Sequence, residues 1–147
     1  MNLQYWNNTW QDMREQAKDY IAVAPIGAVE QHGPRLPLGT DCLINNAYTA
    51  RLQGRCEQAG LPFVFLPLMP YGKSNEHLEY PGTVTLSAKT LLRVLLDVAA
   101  SCARAGFTKL VFLNTHGGNH EIIDMAVREV RVETGIVAFA VQPSRVG

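Results

Sequence analysis

The chain has 147 residues, 47% of them hydrophobic and 18% charged, and its thirteen basic side chains cancel thirteen acidic ones. Such a composition is globular, and the length suits one domain over residues 1–147 with a core of ordinary size. No basic cluster is present to attract nucleic acid or an anionic membrane surface, and the longest apolar runs fall far short of a bilayer span, so neither partner is expected.

The N-terminal stretch MNLQYWNNTWQDMREQ is polar and lacks a signal-peptide core. Its tryptophans, Trp6 and Trp10, are expected to pack against the core. Tyr20 to Ile26 reads as a buried strand. From Asp41 to Ala59, Leu43, Ile44, Ala47, Tyr48, Leu52 and Cys56 recur at the spacing of one apolar helix face, with Gly60 as the C-cap. Pro62 to Leu68 is a second strand ending near Pro67, and Met69 to Leu86 a long loop rich in Pro, Gly and Ser. Ser87 caps a helix through Ala105, stopped by Gly106. Lys109 to Leu113 is a third strand and Asn114 to Asn119 a turn. A helix from about His120 to Thr134, stopped by Gly135, leads to a fourth strand, Ile136 to Val141.

This alternation predicts an α/β fold, a parallel sheet with helices on its faces and right-handed crossovers. No covering helix follows the fourth strand, so the sheet is expected to be cut off after about four strands. The ligand site of such a sheet lies beyond the carboxyl ends of its strands. The three unusual loops, 27–41, 69–86 and 114–119, each follow a strand. Three cysteines, Cys42, Cys56 and Cys102, are odd in number and widely spaced, which suits reduced thiols in a cytoplasmic protein.

In AVEQHGPRLPLGTD, Glu30 and His32 are two apart, so an extended backbone projects both to one side, and Asp41 opens the following helix. Oxygen and nitrogen donors of this kind suit Zn, Mn or Fe(II). The competing reading makes Asp41 a helix N-cap and Glu30 with His32 a solvated pair. In NTHGGNHE, His116 precedes a Gly-Gly turn that would let backbone approach a ligand. It is equally readable as a packed histidine in a turn whose Asn119 caps the helix. In the long loop, Ser74, Glu76 and His77 are polar, and His77 is a candidate proton carrier or pocket wall, or an exposed histidine. A parallel sheet would bring these loops to one edge, and that convergence favours a metal.

GAVEQHGPRLPLGTD, SNEHLEYPGT and NTHGGN, in this order, resemble the creatininase family of metal-dependent amidohydrolases, and the resemblance runs from Ile21 to about Val141. It implies a three-layer α/β/α sandwich with a mainly parallel sheet, two divalent ions (zinc, manganese or iron) and a homo-oligomer. Carried over by motif, Glu30 and His116 would ligate one metal, His32 the other, and Asp41 would bridge them. Ser74, His77, Gly117 and Gly118 would face the substrate. The catalytic proton carrier stays unassigned, with His77 as the candidate. The implied reaction is attack of a metal-activated water on a non-peptide C–N bond in a small amide, cyclic amide or formamide.

Three departures qualify this. Arg35 stands where many members carry a second histidine in the first motif. Gly118 stands where creatininase proper has a glutamate ligand, which argues against creatinine as the substrate. The family also continues for roughly another hundred residues, with a His-Ala-Gly-Glu type motif that supplies a further acidic ligand, so one metal site is expected to be incomplete in this chain. The alternative is a truncated or degenerate member without turnover that keeps the fold core as a binding or assembly unit.

Overall fold

The computed structural model describes residues 1–145. A short helix α1 (Trp10–Gln16) leads to β1 (Ile21–Ile26), α2 (Thr40–Ala59) and β2 (Phe63–Phe65). Then follow α3 (Ala88–Ala105), β3 (Lys109–Asn114), α4 (His120–Thr134) and β4 (Val137–Val141). The strands form one parallel sheet in the order β2-β1-β3-β4, with Ile21 opposite Phe63 and Lys109, and Lys109 opposite Val137.

Successive strand residues point to opposite faces, and the buried side chains sort accordingly. Ala22, Ala24, Ile26, Leu110, Phe112 and Ala138 meet Met13, Leu91, Leu95, Ala99, Ile123, Ala126 and Val130, which places α1, α3 and α4 on one face. Val23, Phe65 and Leu113 meet Cys56 of α2 on the other. The layering is therefore α/β/α. Burying a leucine such as Leu91 or Leu95 contributes about 1.5–3 kcal/mol, so the α3–α4 face carries most of the apolar stabilisation.

Pro25 lies inside a strand paired on both sides, a place where a missing N–H normally costs a ladder bond. Its carbonyl accepts from Met69 N–H, on the side where β2 has already ended at Phe65. On that side the absent donor has no strand partner to lose.

Ser87 caps α3 as its sequence predicts, its Oγ accepting from Thr90 N–H at 3.1 Å. Four expectations differ. Leu43, Ile44, Tyr48 and Leu52 of α2 face solvent, 40–58% exposed, and the inward side is made by Asp41, Asn45 and Cys56. Trp6 and Trp10 are also exposed, because the core contribution of α1 is Met13. Asp41 lies in the first turn of α2 with Gly39 as N-cap, and the Asn119 side chain does not cap α4. None of the described helices is long and apolar enough to cross a membrane.

Candidate metal centre

β1 and β3 are neighbours, yet the chain leaves them in opposite directions, β1 toward β2 and β3 toward β4. Their following loops diverge and open a crevice at the carboxyl edge, the place where doubly wound sheets bind ligands. The segment after β1 carries Glu30, His32 and Asp41, and His116 comes two residues after β3. The segment after β2 is drawn across the same edge. Gly27 N–H donates to Met69 O, Val29 pairs with Val84, and Gln31 N–H donates to Thr83 Oγ1. Ser74 and His77 arrive on this segment.

Glu30, His32 and Asp41 offer ligand atoms within 4.8 Å of one another. His32 Nε2 is 3.3 Å from Asp41 Oδ1 and 3.8 Å from Glu30 Oε1. His116 Nδ1 is 2.8 Å from Asp41 Oδ2 and 3.4 Å from Glu30 Oε1. Asp41 thus turns one oxygen to each histidine. Both carboxylates and His116 are more than nine-tenths buried.

The far ring nitrogens decide what those contacts are. His32 Nδ1 lies 3.2 Å from the Glu30 main-chain carbonyl, and His116 Nε2 lies 2.8 Å from that of Lys73. A carbonyl only accepts, so in each neutral ring the hydrogen sits on the far nitrogen. The near nitrogens are then lone pairs, turned on two carboxylates with no hydrogen between them. Accordingly Asp41 Oδ2, which faces His116 Nδ1, is buried without a hydrogen-bond partner, and so is Glu30 Oε2 on the side away from the two rings. Four converging donors with nothing positive among them are unfavourable alone and suit a divalent cation. Histidines held through their second nitrogen by a carbonyl are the usual ligands of such ions. A proton answers the same need: burial alone lowers the His116 pKa, but Asp41, the Lys73 carbonyl and the Glu30 charge together hold it above its ordinary value.

Buried amides frame this cluster. Asn45, one turn after Asp41 on α2, donates to the Ile26 and Leu113 carbonyls, both at 2.9 Å, and Thr115 Oγ1 donates to the Asp41 carbonyl at 2.8 Å. Asn114 donates to His116 O and accepts from His116 N–H. Asn119 joins all three loops, donating to Gly27 O and Asn114 Oδ1 and accepting from Lys73 N–H. Sequence reading missed Asn45, Asn114 and Thr115 and gave Asn119 a local role. The available signal was an asparagine spaced one helical turn from Asp41, and two more flanking His116.

The remaining predicted residues take distinct places. Ser74 is fully buried, its Oγ 3.2 Å from His116 Nε2, so its hydroxyl reaches the back of the ring rather than the crevice. His77 sits at the rim, partly exposed, its Nε2 3.9 Å from Glu30 Oε2. Gly117 faces open space. A Cβ on Gly118 would run into the Lys73 carbonyl and stand 2.6 Å from His116 Nε2, so glycine is required for the close approach there. Arg35 is exposed. A surface cavity of about 690 Å³ beside Trp6, Trp10 and Arg104 shares no residue with this cluster.

The family model described as creatinine amidohydrolase matches residues 6–146. The chain belongs to the creatininase family. Among its relatives, the mycofactocin precursor peptide peptidase of Mycobacterium ulcerans (strain Agy99) is 41% identical over 113 residues, covering 74% of this chain and 45% of that protein. The creatinine amidohydrolase of Pseudomonas putida is 33% identical over 139 residues, covering 90% of this chain and 53% of that protein. A crystal structure of creatinine amidohydrolase superimposes with a TM-score of 0.74 at 31% identity, covering 95% of this chain and 57% of its counterpart. The chain spans about half the length of the curated relatives it matches.

Proposed function

We propose that Glu30, His32, Asp41 and His116 hold divalent metal and that the chain serves hydrolysis of an amide C–N bond. The observation that carries this reading is the donor pattern. Two histidines give their far N–H groups to main-chain carbonyls and aim lone pairs at two buried carboxylates, each with one oxygen that lacks a hydrogen-bond partner. Asp41, with one oxygen toward each histidine, supports two ions with Asp41 between them, His116 and Glu30 at one and His32 at the other. Solved creatininase neighbours are named as manganese and Zn-Zn forms, which supports those metals. When bound, such ions would polarise a carbonyl and lower the pKa of a water.

The chain's own residues supply the rest. Lys73 O and Ser74 hold the His116 ring, and Gly118 admits the Lys73 backbone beside it. His77 stands at the rim, its Nε2 3.9 Å from Glu30 Oε2. The substrate is a small amide, cyclic amide or formamide. A peptide amide is the second reading, favoured by the 41% identical relative named as a precursor peptide peptidase. Self-association is supported by the apolar stripe that α2 leaves exposed, and a reducing compartment by three free thiols.

Equilibrium dialysis of the metal-free chain against Zn or Mn tests the site. Stoichiometric uptake is expected, weakened about 100-fold or more by Asp41→Asn. A chain that takes up no stoichiometric metal defeats the proposal. Metal uptake without hydrolysis of any formamide, cyclic amide or peptide leaves the site standing and assigns the chain a binding or assembly role.

A further inference from the structure

Glu30 turns its two oxygens to different neighbours. Oε1 faces His32 and His116, whereas Oε2, buried and without a hydrogen-bond partner, stands nearest His77 Nε2 at 3.9 Å. What that nitrogen carries is decided one residue further out. His77 Nδ1 lies 2.9 Å from Gln31 Nε2. The Gln31 amide is itself fixed in direction, because its Oε1 accepts from Gly33 N–H at 2.8 Å and a main-chain N–H only donates. Gln31 therefore presents its NH2 to His77, Nδ1 must accept, and the hydrogen of the neutral ring is left on Nε2. The Gln31 main chain is tied to the same loop through Thr83 Oγ1, and Tyr80 packs edge-on to His77 with ring centroids 6.5 Å apart.

We infer that Gln31 is a positioning residue that holds His77 in the Nε2–H tautomer, with that nitrogen at the crevice rim 3.9 Å from the outer oxygen of Glu30. The chain Gly33 N–H, Gln31, His77 has one polarity throughout. It makes His77 a group that offers a hydrogen at the rim, and it leaves Nε2 without the lone pair a further metal ligand would need. The catalytic consequence rests on the metal-site reading above. The tautomer does not.

The experiment is long-range 1H–15N correlation NMR of the imidazoles in the 15N-labelled, metal-free chain, at a pH above the ordinary imidazole range. His77 is expected to show a protonated Nε2 and a bare Nδ1. Gln31→Glu keeps an acceptor for Gly33 N–H but turns an acceptor on His77, and is expected to place a hydrogen on Nδ1. Gln31→Leu is expected to give an average of the two tautomers, and it stands in if the glutamate variant does not fold. A hydrogen on Nδ1 in the unmodified chain, or one pattern in all three proteins, overturns the inference. Zn titration of the same samples separates the two ideas. A tautomer that switches in a chain that binds no metal sinks the site reading alone, and metal uptake with an unresponsive tautomer sinks only this one.

Discussion

α2 and α3 are of similar length and pack on opposite faces of one sheet, yet they are held there by opposite means. α3 turns Leu91, Leu95, Leu96, Ala99 and Cys102 inward. α2 turns Asp41, Asn45 and Cys56 inward and leaves Leu43, Ile44, Tyr48 and Leu52 in solvent. α3 is placed by apolar burial, which is strong and not directional. The N-terminal half of α2 is placed by hydrogen bonds from Asn45 to the Ile26 and Leu113 carbonyls, which fix where Asp41 stands relative to β1 and β3. One face of the sheet holds the protein together, and the other aims a carboxylate.

A matched pair of truncations breaks this comparison most sharply. Leu95→Ala opens the α3 core and is expected to cost about 3 kcal/mol. Asn45→Ala removes a donor from the Leu113 carbonyl and one from the Ile26 carbonyl, which keeps Thr115 N–H, and is expected to cost about 2 kcal/mol. Urea unfolding should therefore score the two nearly alike. Metal dialysis should not: Leu95→Ala is expected to keep its affinity, and Asn45→Ala to lose roughly tenfold or more, as removing a group that orients a ligand does. Equal metal loss in both variants would mean that the two faces are not separable.

The same division explains what the sequence made legible. In α3 the apolar period and the inward face coincide, so cap, length and orientation follow from pattern alone. In α2 the apolar stripe is real but points outward, because the inward positions near the crevice are given to polar groups. The rule that apolar residues face the core fails where a helix serves a site. Glu30, His32, Asp41 and His116 stood out as residue types at strand ends. Their meeting depends on β1 and β3 being neighbours, which spacing does not state. Asn45 and Asn114 stayed hidden, and Asn119 showed only as a cap, because sequence does not show which main-chain carbonyls the fold leaves in want of a donor.

Cys102 sharpens the contrast by titration. Burial among the α3 side chains pushes its thiol up to about 11, against an ordinary value of 9.0. The unfolded chain releases that proton at lower pH than the folded one, so the associated stability is whole below about pH 9 and is lost as pH rises through about 11. That difference corresponds to about 2–3 kcal/mol. Denaturant midpoints measured from pH 8 to 11 should fall, and a Cys102→Ala variant, starting lower for its lost packing, should fall less steeply. An identical slope in both proteins would place the titrating group elsewhere.

The smallest expected effect falls on the outward stripe of α2. Leu52→Gln changes a residue as apolar as Leu95, yet Leu52 is 40% exposed where Leu95 is 1% exposed. Little area returns to water when Leu52 is replaced, and glutamine is nearly as good a helix former as leucine, so the loss should stay within about 0.5 kcal/mol. That holds for a monomer in dilute solution. If the stripe joins copies of the chain, stability depends on protein concentration by mass action. The Leu52→Gln deficit should then grow with concentration while the Leu95→Ala deficit does not. Denaturation at two concentrations a hundredfold apart separates the cases. A constant, near-zero deficit leaves α2 placed by its polar side alone, and a growing one assigns its apolar side to another copy of the same chain.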